Sequence, residues 1–121
     1  MVKTIDHKDG NSYPVAFGMM ALSELCEIEK ISLGELNSLS QNMRMSFAIT
    51  LVYLGLKHGT RKARKEDSKI PAFSKSMEDC ADLIDEDLEF LPKVMEVFAD
   101  SMAFSKKNEG ETTIQLQVQP E

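Results

Sequence analysis

The chain has 121 residues, of which 42% are hydrophobic and 28% are charged, and its formal net charge is −6. These values predict one globular domain rather than a disordered chain, and the negative charge argues against nucleic-acid and membrane partners. No apolar run approaches the ~20 residues that span a bilayer, and residues 1–6 lack the pattern of a signal peptide. We therefore expect a protein of the cytoplasm.

The first 15 residues predict a β-hairpin. Residues 2–5 alternate between polar and apolar types, and Asp9-Gly10 is a strong turn signal. A second extended stretch follows at 12–15, where Pro14 favours the edge of a sheet.

Two helices are predicted next. Residues 17–30 follow helical spacing, with Met20 and Ile28 assigned to the buried face. Ser32 and Glu35 stand three residues apart within an apolar stretch, which is the pattern of a capping box at the start of a second helix.

The third helix is predicted at 45–57 and is apolar nearly all round, which is typical of a central core helix. Gly59 after it predicts a C-cap, and the basic and polar stretch at 61–73 predicts a surface loop. Ser76 with Asp79 three residues later predicts the start of a fourth helix.

A turn at 85–87 predicts the start of a fifth helix that buries Leu88. The predicted fold is therefore mainly α: a small bundle of about five helices with a short N-terminal β-hairpin, over residues 1–104. Residues 105–121 begin with a polar linker and end in a strictly alternating stretch, which forms a strand or stays a flexible tail.

No combination of residue types predicts catalysis or metal binding. The two histidines, His7 and His58, stand outside any catalytic motif, and we expect both to be exposed to solvent. Cys26 and Cys80 lack the short spacing of zinc ligands and are expected to be buried, reduced thiols. An acidic stretch at 85–96 lacks the glycine of a calcium loop. We predict a protein-binding function, with no enzyme activity, no cofactor and no metal.

Methionine is frequent, with eight residues, and its flexible side chain suits adaptable apolar contacts. Four methionines on the first and third helices form a candidate face for a client protein, although the same residues would equally serve as core. These are Met19, Met20, Met43 and Met45.

Charge is segregated along the second half of the chain. A basic segment at 57–65 contains no acidic residue, and an acidic segment at 78–89 contains no basic residue. Such segments usually form two solvated faces. The sharper hypothesis is that the basic face of one copy binds the acidic face of the next, head to tail, in a homo-oligomer. The candidate residues are Arg61, Lys62, Arg64, Lys65, Asp82, Asp85 and Glu86.

Residues 31–58 offer an alternative function, since two short helices around a polar turn have the outline of a helix-turn-helix reader of DNA. A recognition helix presents polar side chains to the groove, whereas residues 47–52 are almost continuously apolar. A DNA-binding regulator is therefore the second hypothesis.

Four stretches of packing and turn residues together carry a family likeness. They are Tyr13-Pro14-Val15-Ala16-Phe17-Gly18-Met19 with Ala21-Leu22, Ile31-Ser32-Leu33 with Glu35-Leu36, Leu54-Gly55-Leu56-Lys57-His58-Gly59 with Arg61-Lys62, and Asp82-Leu83-Ile84-Asp85. Over residues 2–104 the chain resembles the tail assembly chaperones of long-tailed bacteriophages and prophages.

The resemblance implies a fold and a function. Members are small helical proteins that coat the tape measure protein, a long apolar helical chain, in the host cytoplasm and keep it soluble until tail tube subunits displace them. They are absent from the mature virion, and many have a longer, frameshifted form that recruits the tail tube protein. A structural head-to-tail joining protein, which stays in the particle, is a third hypothesis.

Overall fold

The structure is a computed structural model, which describes residues 2–36 and 44–102. Over these residues the chain is mainly helical with one two-stranded antiparallel hairpin, as the sequence predicts. Met43 and the predicted linker and tail at 105–121 lie outside the described residues. The strands are β1 (Lys3–Asp6) and β2 (Ser12–Val15), and the helices are α1 (Met19–Glu29), α2 (helical over 33–36), α3 (Met45–Glu66), α4 (Met77–Glu86) and α5 (helical over 90–102).

The hairpin forms where the alternating pattern and the turn signal predict it. Ile5 pairs with Tyr13 in the antiparallel register, and the alternation of faces buries Ile5. The turn closes with the Gly10 N–H donating to the His7 carbonyl at 3.0 Å. Gly10 has a φ of 92°, which glycine adopts without steric cost. The Asp9-Gly10 turn prediction is confirmed.

Two helix starts are fixed by reciprocal hydrogen bonds between side chain and backbone. Ser32 Oγ accepts the Glu35 N–H at 3.2 Å, while a Glu35 carboxylate oxygen accepts the Ser32 N–H at 2.8 Å. Ser76 and Asp79 form the same box at the start of α4, at 3.1 and 2.9 Å. The bond from the serine N–H lowers the pKa of each carboxyl. The predicted capping box at Ser32 and the predicted helix start at Ser76 are both confirmed.

α3 is the central helix, and it packs against β2, α1 and α4. The prediction that it ends near Lys57 is wrong, since α3 continues through Gly59 to Glu66. Gly59 is no C-cap because it faces β2, where a Cβ atom would lie 2.5 Å from the Pro14 carbonyl carbon. Glycine at this position lets helix and strand approach closely. Residues 61–66 are therefore helical and not part of the predicted surface loop.

The buried face of α1 differs from the predicted one. Ala21 and Leu25 are buried as the helical spacing predicts, and so is Leu22, whereas Met20 and Ile28 are exposed. The prediction counted Phe17 as a helical residue. Phe17 is buried in the extended segment before α1, so its position does not set the phase of the helix.

The start of α5 also differs from the prediction. Leu88 is 72% exposed, so the expectation that it is buried is wrong. It lies in the turn between α4 and α5, directly after Asp87, the C-cap of α4. α5 begins only after this turn, so its buried face is set by residues from 90 onward. The helix buries Phe90, Val94 and Phe98.

Candidate functional site

Both histidines are buried, and the prediction that they are exposed to solvent is wrong. His7 is 5% exposed and His58 is 2% exposed. Each imidazole has a hydrogen-bond partner at both ring nitrogens, which offsets the cost of burying a polar ring. Some of these partners are distant in the sequence, so the residues next to each histidine did not reveal the burial.

His58 joins α3 to α1. Its Nε2 atom lies 2.5 Å from Glu24 Oε1, and its Nδ1 atom lies 3.2 Å from Arg61 Nε. Because a guanidinium only donates, Nδ1 accepts from Arg61 and Nε2–H donates to Glu24. Lys57 Nζ donates to the other Glu24 oxygen at 3.0 Å. With both ring nitrogens bound, His58 is not placed to act as a general base, and the cluster instead holds the two helices together.

The Glu24 carboxyl has a pKa below its usual value. Burial raises this pKa, but hydrogen bonds from Lys57 and His58 lower it by more. A carboxyl whose pKa is lower in the folded state stabilises the protein above its unfolded-state pKa. This contribution is lost as the pH falls through the folded-state value, so acid should weaken the α1–α3 contact.

We expect the Glu24→Gln variant to be about 1 kcal/mol less stable than the wild type at neutral pH, because the amide keeps an acceptor but loses the charge. Below the pKa of an unfolded glutamate, about 4.3, the difference between the two proteins should shrink. Denaturant unfolding across this pH range measures both effects. The control is Glu27→Gln on the exposed side of α1, which should follow the wild type. An equal pH dependence for Glu24→Gln and the wild type would contradict this account.

The described residues contain one group of side chains that could hold a metal ion: His7, Asp9 and Glu86, whose ligand atoms lie within 4.8 Å of one another. The imidazole is already engaged, since His7 Nε2 lies 2.8 Å from the Leu83 carbonyl oxygen and Nδ1 accepts the Asp9 N–H at 2.9 Å. Asp9 Oδ2 also accepts the Tyr13 hydroxyl at 2.5 Å. A metal ion would have to displace the hydrogen bond at Nδ1. His7 and its two hydrogen bonds therefore act as a latch between the hairpin turn and α4.

The two cysteines are free thiols that are poorly suited to nucleophilic chemistry. Cys80 is fully buried, and burial raises the pKa of its thiol to about 11. Cys26 is half-buried, and burial raises its pKa as well. A thiol with a raised pKa is protonated at neutral pH, and the protonated form is a poor nucleophile.

Three of the four candidate methionines are surface residues. Met19, Met20 and Met45 are between 61% and 66% exposed, so the alternative that they form core does not apply to them. Met43 lies outside the described residues. Burying an exposed methionine against a partner is worth about 1.5–3 kcal/mol. The three side chains therefore remain candidates for client binding.

The three methionines do not form one continuous face. The Lys62 ammonium lies beside Gly18, the residue before α1, so Met19 and Met20 lie near the C-terminal half of α3. Met45 is the first residue of α3. A helix rises 1.5 Å per residue, which places Met45 roughly 25 Å from Lys62 along the helix axis. The predicted methionine face is thus divided between two ends of the molecule.

A groove that the sequence did not predict runs along α1 from Met19. Leu22 and Cys26 line its helical side, and Ile31 and Leu33 line the other. We call these five apolar residues, Met19 included, the α1 groove. Polar side chains complete its lining: Ser23, Glu27, Lys30, Ser32 and Glu35. Its volume is about 510 Å³, and it is open to solvent along its length. The spacing of 19, 22 and 26 along one helix edge was the only signal of this groove in the sequence.

The second wall of the α1 groove depends on how α1 ends. Lys30 has a φ of 58°, in the left-handed region, and the Ile31 N–H donates to the Cys26 carbonyl at 3.0 Å. This is the left-handed C-cap that ends many helices. It redirects the chain so that residues 31–33 lie beside the helix they have just left. The groove is therefore built by local backbone geometry.

The seven charged candidates lie on two helices. Those of the basic segment belong to α3, and those of the acidic segment belong to α4. Arg61 and Lys62 are half-buried, and the other five are exposed. Within residues 2–36 and 44–102, none of the seven forms an ion pair with an oppositely charged side chain.

The α1 groove and the neighbouring Met20 are thus the site best suited to bind an apolar partner. No helix in the described ranges is both long enough and apolar enough to cross a membrane.

Comparison of the chain with models of protein families, with characterised proteins and with solved structures finds no match.

Proposed function

We propose that this protein is a tail assembly chaperone that binds the tape measure protein of a long-tailed phage and keeps it soluble. The observation that carries the proposal is the α1 groove, in which Met19 is exposed, with the exposed Met20 next to it in the sequence. The resemblance of residues 2–104 to that family supports the choice of client.

The α1 groove suits a helical client. In helix-in-groove recognition, the apolar face of an amphipathic helix lies in an apolar groove, and methionine side chains adapt to different partners. α1 has 11 residues, so the groove extends over about 16 Å, or about three turns of a bound helix. A contact of this length is weak for each copy. A long client would therefore bind many copies, each of which could be displaced.

The proposal places the protein in the cytoplasm of the bacterial host, during tail assembly. The chaperone leaves when tail tube subunits polymerise around the client, so the mature virion lacks it. A longer form that recruits the tail tube protein belongs to the same proposal.

The position of α3 gives no support to the helix-turn-helix alternative. That hypothesis requires the first part of α3 to enter a DNA groove. Phe47, Leu51 and Leu54 lie in this part of α3 and are completely buried. Only the last turns of α3 expose basic side chains, such as Arg64 and Lys65. The burial of this part of α3 therefore favours protein binding over DNA binding.

The test is co-expression with the long helical open reading frame expected beside the gene. We expect the wild type to keep that client in the soluble fraction and to co-purify with it in several copies. A client that is soluble alone and does not bind would overturn the proposal. Mass spectrometry of purified particles separates the chaperone from a joining protein, since only a joining protein stays in the particle.

Methionine variants test the site itself. Met19→Gln with Met20→Gln removes apolar surface at similar side-chain size and helix propensity, and we expect at least about tenfold less client in the soluble fraction. The matched control is Met77→Gln on α4, where the methionine is 37% exposed. It should bind like the wild type. Equal binding by the double variant, with unfolding midpoints unchanged, would exclude this end of the groove as the client site.

A further inference from the structure

The C-terminal half of α3 has a strongly basic face. At about 100° of rotation per residue, Lys57, Arg61, Arg64 and Lys65 fall within roughly 100° of the helix circumference. Lys62 lies at the flank of this face, against Gly18. We call the first four residues the basic face.

The acidic residues of α4 are also collected on one side. Glu78, Asp82, Asp85 and Glu86 fall within roughly 100° of its circumference, and all four are exposed. We call them the acidic face. Asp79 is left out because its carboxylate is used in the capping box with Ser76.

The two faces have the same spacing. Each carries its charges at positions i, i+4, i+7 and i+8 of a helix. Residues three and four apart are neighbours on a helix surface, and like charges at this separation destabilise a helix by about 0.2–0.5 kcal/mol per pair. Each face is therefore unfavourable alone. When two faces of opposite charge and equal spacing meet, the attraction between them offsets the like-charge repulsion within each face.

Neither face is neutralised within the described part of the chain. Of the eight side chains of the two faces, Lys57 alone forms an ion pair among these residues, with Glu24, and the other seven have no oppositely charged group within 4.0 Å. Arg61 Nε donates to His58 and Arg64 Nε donates to the Ile70 carbonyl at 2.8 Å. These bonds fix the two guanidinium groups while their terminal nitrogens remain able to donate. Side chains that are already ordered lose less entropy when they bind.

We infer that copies of this chain bind one another, with the basic face of one copy on the acidic face of another. Charge complementarity and equal spacing select a second copy as the partner, since one chain supplies both surfaces. The inference does not depend on the proposed client, because it concerns a surface outside the α1 groove. Exposed ion pairs contribute about 0.2–1 kcal/mol each, so the association is weak and sensitive to salt. Two copies that exchange both contacts form a closed dimer, whereas single contacts form rings or filaments.

The first measurement is the molar mass of the full chain by light scattering after gel filtration, without client. At about 0.01 M salt, where the Debye length is ~30 Å, we expect at least twice the monomer mass. At about 1 M salt, where it is ~3 Å, we expect the monomer. A monomer at both salt concentrations overturns the inference, and so does an oligomer whose mass does not change with salt.

Charge reversal gives the sharper test. Arg64→Glu with Lys65→Glu removes the net positive charge of the basic face, and Asp82→Lys with Asp85→Lys removes the net negative charge of the acidic face. Each variant alone should be monomeric at low salt. An equimolar mixture should recover at least a dimer, because the unaltered acidic face of the first variant then meets the unaltered basic face of the second. A mixture that stays monomeric, or a variant that associates alone like the wild type, overturns the inference.

A matched control separates the faces from the net charge. Lys3→Glu with Lys93→Glu changes the net charge by the same amount as the reversal of the basic face, at exposed lysines elsewhere on the surface. It should associate like the wild type. Loss of the oligomer in this control would mean that overall charge alone sets the association, which overturns the assignment to the two faces.

Discussion

Replacing Gly59 by alanine is expected to lower the free energy of unfolding by about 3 kcal/mol or more. The added Cβ atom would lie 2.5 Å from the Pro14 carbonyl carbon and 2.6 Å from Val15 Cα. Carbon atoms in contact are normally 3.5–4.0 Å apart. The obstructing atoms belong to the β2 backbone, which cannot move without disturbing its pairing with β1. The expected result is therefore a separation of the hairpin from α3, measured by denaturant unfolding.

Two other glycines give a graded comparison with Gly59→Ala. A Cβ at Gly55 would lie 2.7 Å from the ring of Phe17, which is a side chain and can move, so Gly55→Ala should cost less. A Cβ at Gly34 would have only Ser32 Oγ nearby, at 3.9 Å. Gly34→Ala should therefore be neutral or stabilising, by up to about 1 kcal/mol. If Gly59→Ala is as stable as Gly34→Ala, the close contact between α3 and β2 is not a constraint on the fold.

Local signals in the sequence predicted the local structure correctly. Asp9-Gly10 forms the hairpin turn, and the pairs Ser32 with Glu35 and Ser76 with Asp79 form capping boxes. In each case the interacting groups are at most three residues apart, so the pattern contains both partners. These signals were sufficient to place the hairpin and the starts of α2 and α4.

Features that depend on distant partners were predicted incorrectly. Gly59 after an apolar helix has the pattern of a C-cap, and only the position of β2 reveals that it is a contact point between helix and strand. His58 has its partner Glu24 34 residues away, and His7 has its partner Leu83 76 residues away. A polar residue whose partner is not local is indistinguishable in sequence from an exposed one.

The candidate site was predicted only in part, for a related reason. Met19 and Met20 were identified as binding candidates from composition and helix position, and both are exposed. The second wall of the α1 groove depends on the left-handed conformation of Lys30. Lysine rarely adopts this conformation, so the sequence contained no sign that residues 31–33 would lie beside α1.

A second large effect is expected at Asp87, a buried carboxylate that joins two turns. Its Oδ2 atom accepts the Lys8 N–H of the hairpin turn at 3.1 Å, and its Oδ1 atom accepts the Glu89 N–H ahead of α5 at 3.1 Å. The first bond connects residues that are 79 positions apart. It reinforces the latch in which His7 binds the Leu83 carbonyl at the end of α4. One side chain thus ties the hairpin to the turn between the last two helices.

The Asp87→Ala variant should lose about 2–4 kcal/mol of unfolding free energy, because two backbone donors lose their acceptor in a buried site. Asp87→Asn keeps one acceptor oxygen and should fall between alanine and the wild type. Asp85→Ala, two residues away on the exposed side of α4, should change stability by no more than about 0.5 kcal/mol. Hydrogen exchange locates the effect, since the amides of Lys8 and Glu89 should exchange faster in Asp87→Ala. Equal stability of the two alanine variants would mean that the hairpin is held to the helices by apolar packing alone.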